Sequence, residues 1–366
     1  MLGLLLCAVV LSFEPATSAL ILGAAVLVLI GLKRPELGLI GILVFTSTLV
    51  PVESLPLVSI GVGSLSIADL LLLALLALIV VRSLGEKQFR LACTPLALPL
   101  TGFYAFALIA TALAIVGGAL EFKPAIKEIR LVTYYLLFFA TINLVRDRGQ
   151  FALLQRLMLG LASLVAVAML LQHILGASIV ILPGRVETLR TQDLIFSDVV
   201  RILPPGQSLV LVGFVVMTMR LCLQPLKASH WHLFANWGLL GLGVILTFNR
   251  VYWVGVALAI LAALYAARGE SGSRLLTRML AVGAIVALCL LWLSAEPTAQ
   301  EDNLISAVSA RAATLVSGSA GGESSIEFRV IENSYALPHL LPPPLFGMGL
   351  GAQYRPFTEL DWEGYD

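Results

Sequence analysis

The chain is predicted to be an all-α integral membrane protein with about 11 transmembrane helices, some of the early ones short, and a large outer loop at its C-terminal end. Three observations carry that expectation. Hydrophobic residues make up 59% of the sequence and charged residues 12%, and the mean hydropathy is +0.97, outside the range of ordinary soluble domains. The apolar residues gather into runs of spanning or near-spanning length. Lysine and arginine recur on every second connection between those runs.

The runs fall at 2–13, 18–32, 36–51, 66–83, 94–116, 127–145, 151–175, 206–225, 229–248, 251–268 and 274–295. Helices account for them because the bilayer core offers no water to an unpaired backbone group. The first is expected to be a short span rather than a cleaved leader: Ala16-Thr17-Ser18-Ala19 imitates a cleavage site, but no basic segment precedes it and the apolar pattern resumes at once. The breakers fit this division. Pro35 and Pro51 punctuate the early runs, Gly117-Gly118 closes the fifth, and Pro204-Pro205-Gly206 opens the eighth. The chain divides into a multi-span region, 1–295, and an outer loop region, 296–366.

Orientation follows from the basic residues. Lys33 and Arg34; Arg82, Lys87 and Arg90; Arg146, Arg148 and Arg156; Arg220 and Lys227; and Arg268, Arg274 and Arg278 mark the cytoplasmic side. The alternate connections then face outward: 52–65, 117–126, 176–205, the tight turn at 249–250 and everything after 296. Two of these, 177–207 and the segment beyond Ser294, are too long to be simple turns. A helical piece is expected in the second, around Glu327 to Leu340.

The net charge of +1, with scattered arginines, argues against a nucleic-acid partner, which requires a basic stripe. Cys7, Cys93, Cys222 and Cys289 sit in or beside apolar runs without metal-like spacing, and no metal-binding motif occurs, so neither a disulfide framework nor a metal is expected.

Several outward cations depart from this background. Arg250 stands in Thr247-Phe248-Asn249-Arg250-Val251-Tyr252-Trp253-Val254-Gly255 between two hydrocarbon runs. A guanidinium at membrane depth costs at least about 3 kcal/mol, so one retained there grips an anion or lines a wet cavity, unless it anchors to headgroups beside Tyr252 and Trp253. Arg201 precedes the helix-opening Pro204-Pro205-Gly206, within reach of an anion at a helix N-terminus, or stands in a surface loop. Lys123, Lys127 and Arg130 lie at the outer end of the 127–145 run, as substrate-binding or lipid-snorkelling cations. Arg329 has Glu327 and Glu332 nearby, which also fits a salt-bridged surface helix, and His339 reads as a solvated bystander. Arginines without metal ligands suit a phosphate-type anion, because the guanidinium fork matches its oxygens and stays charged.

These residues carry a resemblance. The 247–255 stretch resembles the T-x-S-R-x-x-W-x-G segment of the bacterial O-antigen ligase and O-antigen polymerase superfamily. Phe328-Arg329 followed by Pro344-Leu345-Phe346-Gly347-Met348-Gly349-Leu350-Gly351 resembles that family's arginine helix and its P-L-x-G-x-G-x-G turn. Lys127-Glu128-Ile129-Arg130, Tyr134 to Phe139 and Asn143-Leu144-Val145-Arg146-Asp147 are similar to a recurring mid-chain pattern there. The resemblance spans most of the chain from about Pro124.

It implies a multi-pass enzyme of the bacterial inner membrane with a large periplasmic loop. The implied donor is a polyprenyl-pyrophosphate-linked glycan and the acceptor a lipid A-core or another glycan, with no cofactor. Arg250 and Arg329 would neutralise the pyrophosphate, with Arg201, Lys127 and Arg130 as substrate-binding residues. Two departures are visible: Asn249 stands where the family commonly has serine, and the family's histidine after the glycine turn is not reached before Asp366, which implies a C-terminally incomplete member. The rival expectation is a secondary transporter or flippase for an anionic solute. A non-catalytic scaffold would leave Arg250 unexplained.

Overall fold

The computed structural model describes residues 26, 29–31, 33–48, 58–60, 63–85, 91–92, 94–176, 179, 181–182, 184–191, 194–223, 231–266, 304–316, 324–340 and 347–354. The runs expected at 2–13 and 274–295, most of 18–32, and the division at 295 lie outside them. Two compact units emerge, one from 1–39, 56–150 and 321–366 and the other from 40–55 and 151–320.

The described elements are predominantly helical. Pro35–Leu43 forms α1, which runs into a π-helical turn at Val44–Thr48. Then come α2 (Ile67–Gly85), α3 (Ala97–Val116), α4 (Phe122–Thr133), α5 (Leu137–Leu144) and α6 (Arg148–Leu175). They are followed by α7 (Gln207–Leu223), α8 (Trp231–Leu246), α9 (Arg250–Ala266), α10 (Leu304–Val316) and α11 (Ser324–Leu340). Among the described residues α2, α3 and α6 are long and apolar enough to cross a bilayer, and α1, α7, α8 and α9 are shorter apolar helices. The surface of α3 displays Leu98, Phe103, Phe106, Ile109, Leu113 and Val116, and α9 exposes Val251, Val254, Leu258, Leu261 and Tyr265 at helical spacing. Apolar surface on that scale is stable against lipid and not against water, which marks a membrane protein.

Two antiparallel hairpins are added to the expected helices: β1 (Val58–Ile60) with β2 (Gly63–Leu65), and β3 (Arg185–Thr191) with β4 (Leu194–Leu203). The second occupies the long segment read as an outer connection. The run at 127–145 also differs from a plain span. It begins within the amphipathic α4, passes through a 3-10 turn at Tyr134–Leu136 and ends in the apolar α5. The charged α4, with Lys123, Lys127, Glu128 and Arg130, cannot present hydrocarbon all round.

In the first unit, Ser66 and Asp69 start α2 with a reciprocal capping box. The Asp69 carboxylate accepts the Ser66 backbone N–H at 2.7 Å, and the Ser66 hydroxyl accepts the Asp69 N–H at 3.3 Å. The glycine turn closes over the same unit. Gly349 (φ +86°) and Gly351 (φ +85°) adopt the left-handed region. A Cβ at Gly349 would sit 3.0 Å from Ala114 Cβ, and one at Gly351 2.9 Å from the Pro124 carbonyl oxygen. Only glycine lets this backbone lie against α3 and α4, where the Leu350 N–H donates to Thr111 Oγ1 at 2.9 Å.

The second unit buries Ala162, Val165, Ala166 and Met169 of α6 with Val210, Phe214 and Met217 of α7 and Trp237, Leu240 and Val244 of α8. Small residues permit the approach: a Cβ at Gly213 would come 2.9 Å from Ala162 Cβ, and one at Gly243 3.1 Å from both Ala166 Cβ and Val210 Cγ1. Two polar pairs join the helices inside, Trp237 Nε1 donating to Thr218 Oγ1 at 2.8 Å and Ser163 Oγ to Asn236 Oδ1 at 2.6 Å. Gly213→Leu is therefore expected to destabilise the protein by about 1–3 kcal/mol through overpacking. Gly255→Ala, which meets nothing within 4 Å, should not. Thermal unfolding in detergent checks both, and equal midpoints would contradict this packing.

Candidate functional site

The site grows from the three residues between α8 and α9. At the end of α8 the Thr247 hydroxyl donates to the Val244 carbonyl at 2.7 Å and accepts the Asn249 N–H at 3.2 Å. Between them Phe248 is fully buried with φ 49°. A bulky residue in the left-handed region costs of order 1–3 kcal/mol, and burial of the ring against Trp253, 6.3 Å between centroids, offsets that cost. Asn249 then caps α9, its Oδ1 accepting the Val251 N–H at 3.1 Å. Asparagine and serine are equivalent N-caps, so serine at this position would serve the same end. Arg250 becomes the first residue of α9, at the positive end of the helix dipole.

Two further arginines reach this turn. Arg201, on β4, donates from Nε to the Thr247 carbonyl at 3.4 Å, and its Nη1 pairs with Glu187 at 3.1 Å. Glu187 and Arg201 are direct partners across the hairpin, so β3 and β4 present the guanidinium as a rigid unit. Arg311, on α10, donates from Nε to the Phe248 carbonyl at 3.4 Å and is 8% exposed. Thus Arg201 and Arg250, both expected from the sequence, frame one turn, and Arg311 joins them. The sequence signal for Arg311 was a cation inside the apolar Leu304–Val316 segment, the same kind of signal as Arg250 gives. Beside the turn, Ser208 near the start of α7 shares a 2.8 Å hydrogen bond with Tyr252 of α9.

The remaining sequence candidates belong to the other unit. Lys127 is exposed on α4. Arg130 pairs through Nη2 with Asp69 Oδ2 at 2.8 Å, and Tyr134 donates to Asp69 Oδ1 at 2.7 Å. With Ser66 these groups surround the carboxylate, joining α2 to α4 and the 3-10 turn, so Arg130 has a structural bond whatever else it contacts. Asp69 was not singled out in the sequence, although Ser66-x-x-Asp69 is a legible capping signature. Arg329 falls within α11. That helix is tied to the glycine turn region, where Tyr354 donates to Glu332 and His339 Nε2 lies 3.1 Å from the Tyr354 carbonyl. No group of histidine, cysteine, aspartate and glutamate able to hold a metal occurs among the described residues.

No family model matches the chain, and no curated protein and no solved structure matches it either.

The two networks respond differently to substitution. Tyr134→Phe is expected to cost about 1.5–3 kcal/mol by removing a hydrogen bond to a buried carboxylate. Asn249→Ser should be near neutral and Asn249→Ala should cost about 1 kcal/mol. Unfolding midpoints of the three variants check this; a loss in Asn249→Ser as large as in Asn249→Ala would contradict the capping role.

Proposed function

We propose that this protein is a membrane glycosyltransferase of O-antigen ligase type, moving or polymerising a polyprenyl-pyrophosphate-linked glycan at the periplasmic face of the bacterial inner membrane. The observation that carries the reading is the framing of one helix-starting turn by Arg201, Arg250 and Arg311 at the end of an apolar helix. A pyrophosphate leaving group needs positive charge where negative charge develops, and fixed guanidiniums beside a helix N-terminus supply it without metal or nucleotide. The resemblance of the 247–255 and 328–351 stretches to that superfamily points the same way.

In the reaction an acceptor hydroxyl attacks the anomeric carbon of the donor glycan. A general base takes the hydroxyl proton, the bond from that carbon to the pyrophosphate oxygen breaks, and polyprenyl pyrophosphate leaves with the electron pair. Arg250 bears on the leaving oxygen's charge, and Arg201 and Arg329 are the further arginines the reading assigns to the pyrophosphate. Lys127 is assigned to substrate on the same reading. Arg130 fixes α4, its guanidinium already paired with Asp69. The acceptor is a lipid A-core or a second glycan chain.

Transfer of glycan from a polyprenyl-pyrophosphate donor, in membranes bearing the full-length protein, tests the reading. Arg250→Ala should lower kcat/KM by at least about a hundredfold, the loss typical of one electrostatic stabiliser, while the protein still inserts. Wild-type transfer by Arg250→Ala would sink the proposal. Arginine-dependent uptake of an anion without transfer would replace it with a secondary transporter.

A further inference from the structure

A guanidinium grips two oxygens of one anion in either of two ways, end-on through its two Nη atoms or side-on through Nε and one Nη. In Arg201 each way is half taken. Nε donates to the Thr247 carbonyl at 3.4 Å, which occupies the side-on edge, and Nη1 donates to Glu187 Oε1 at 3.1 Å, which occupies the end-on edge. Among the described residues nothing bonds to Nη2. The two occupants differ in kind. The Thr247 carbonyl is backbone, fixed by the turn that ends α8, where the Thr247 hydroxyl is itself tied to Val244. Glu187 is a long side chain on a strand, and rotation about its own χ angles withdraws the carboxylate without disturbing the ladder that pairs Glu187 with Arg201. Both side chains are 26% exposed, so solutes reach the pair from outside. An ion pair with that access is worth only a few-fold in an equilibrium, against a bidentate, charge-assisted contact for an incoming phosphoryl group.

We propose that Glu187 is a displaceable counter-ion: it covers the end-on edge of Arg201 while the site is empty, yields that edge to the donor's pyrophosphate, and competes it back as polyprenyl pyrophosphate leaves. This rests on the function proposed above. Charge favours the exchange. Arg201 and Glu187 together are neutral, and once displaced the carboxylate turns to water while the guanidinium passes to an anion with more charge and two aligned oxygens. Position favours it too. Arg201 bears on the carbonyl of Thr247, so an anion on the freed edge lies at the turn that leads into α9 and the positive end of its dipole. Glu187 thereby weakens the site's hold on its own leaving group, and a weaker hold on product speeds its release. A purely structural Glu187 has the opposite consequence, since loss of its carboxylate would then loosen Arg201 and weaken anion binding. The sign of one substitution separates the two roles.

Titration of inorganic pyrophosphate into the full-length protein in detergent tests this, for the wild type, Glu187→Gln, Arg201→Gln and the double variant. Glu187→Gln should bind pyrophosphate about three- to tenfold more tightly than the wild type. Between Arg201→Gln and the double variant the difference should stay under about 1.5-fold, because the carboxylate acts through Arg201, whereas a general relief of negative charge would give the same gain in both backgrounds. Glu187→Thr, whose β-branched side chain suits a strand, removes the carboxylate independently and should show the same gain, which covers a failure of Glu187→Gln to fold. Equal or weaker binding in both Glu187 variants, or an equal gain without Arg201, would overturn the proposal. No binding by any of these proteins would overturn it together with the reading it rests on. The expected gain in a protein that transfers no glycan would support the counter-ion and reject the enzymatic reading. Glycan transfer by the wild type, with no gain in either Glu187 variant, would reject the counter-ion and keep that reading.

Discussion

Two successive carbonyls, those of Thr247 and Phe248, turn away from the helix ladder at the junction of α8 and α9 and are met by the side chains of Arg201 and Arg311. This contact is the constraint on which the candidate site depends. A chain leaving one apolar helix and entering the next must satisfy its free backbone groups without water, and a guanidinium supplies N–H donors where a neutral side chain supplies fewer. The left-handed Phe248 makes the reversal tight, its buried ring holds the reversal in place, and Asn249 restarts the helix so that Arg250 heads it. The arginines thus belong to the architecture of the turn as well as to any anion it binds. The hairpin β3–β4 and the helix α10 serve as their mounts.

The unit formed by α2, α3, α4, α5 and α11 follows a different physical rule. There a single carboxylate, Asp69, is saturated by Ser66, Tyr134 and Arg130, which lets a charged side chain sit at the start of an apolar helix. The 3-10 turn at Tyr134–Leu136 falls where Tyr134 reaches across to that carboxylate. From the other end of α4, Pro124 and Ala125 receive Gly351, so the amphipathic helix carries a polar fastening at one end and the glycine turn at the other. A basic helix of this kind, with Lys123 and Lys127 exposed, suits an interfacial position better than a crossing one.

How much could be read beforehand depended on whether a local signal was strong. The runs at 66–83, 94–116 and 151–175 correspond closely to α2, α3 and α6, since length and apolarity alone decide such helices. Arg250 and Arg201 were legible because each is a cation out of place, yet nothing local said that both would meet one turn. That juxtaposition comes from the register of Glu187 with Arg201, and the hairpin was hidden because its charged residues resemble a loop when read singly. Arg311 carries the same signal but within an apolar segment too short to stand out as a span, and Asp69 is hidden because two of its partners lie 61 and 65 residues away at Arg130 and Tyr134. The 3-10 break was invisible in a run whose average hydropathy looks uniform from Leu131 onward.

The most direct test of the turn as an anion site is a calorimetric titration of inorganic pyrophosphate into the full-length protein at two salt concentrations, for the wild type and for Arg250→Gln. Saturable binding that weakens with salt and falls at least tenfold in Arg250→Gln is the result this account predicts. Binding of the same strength in both proteins, or none in the wild type, would contradict it.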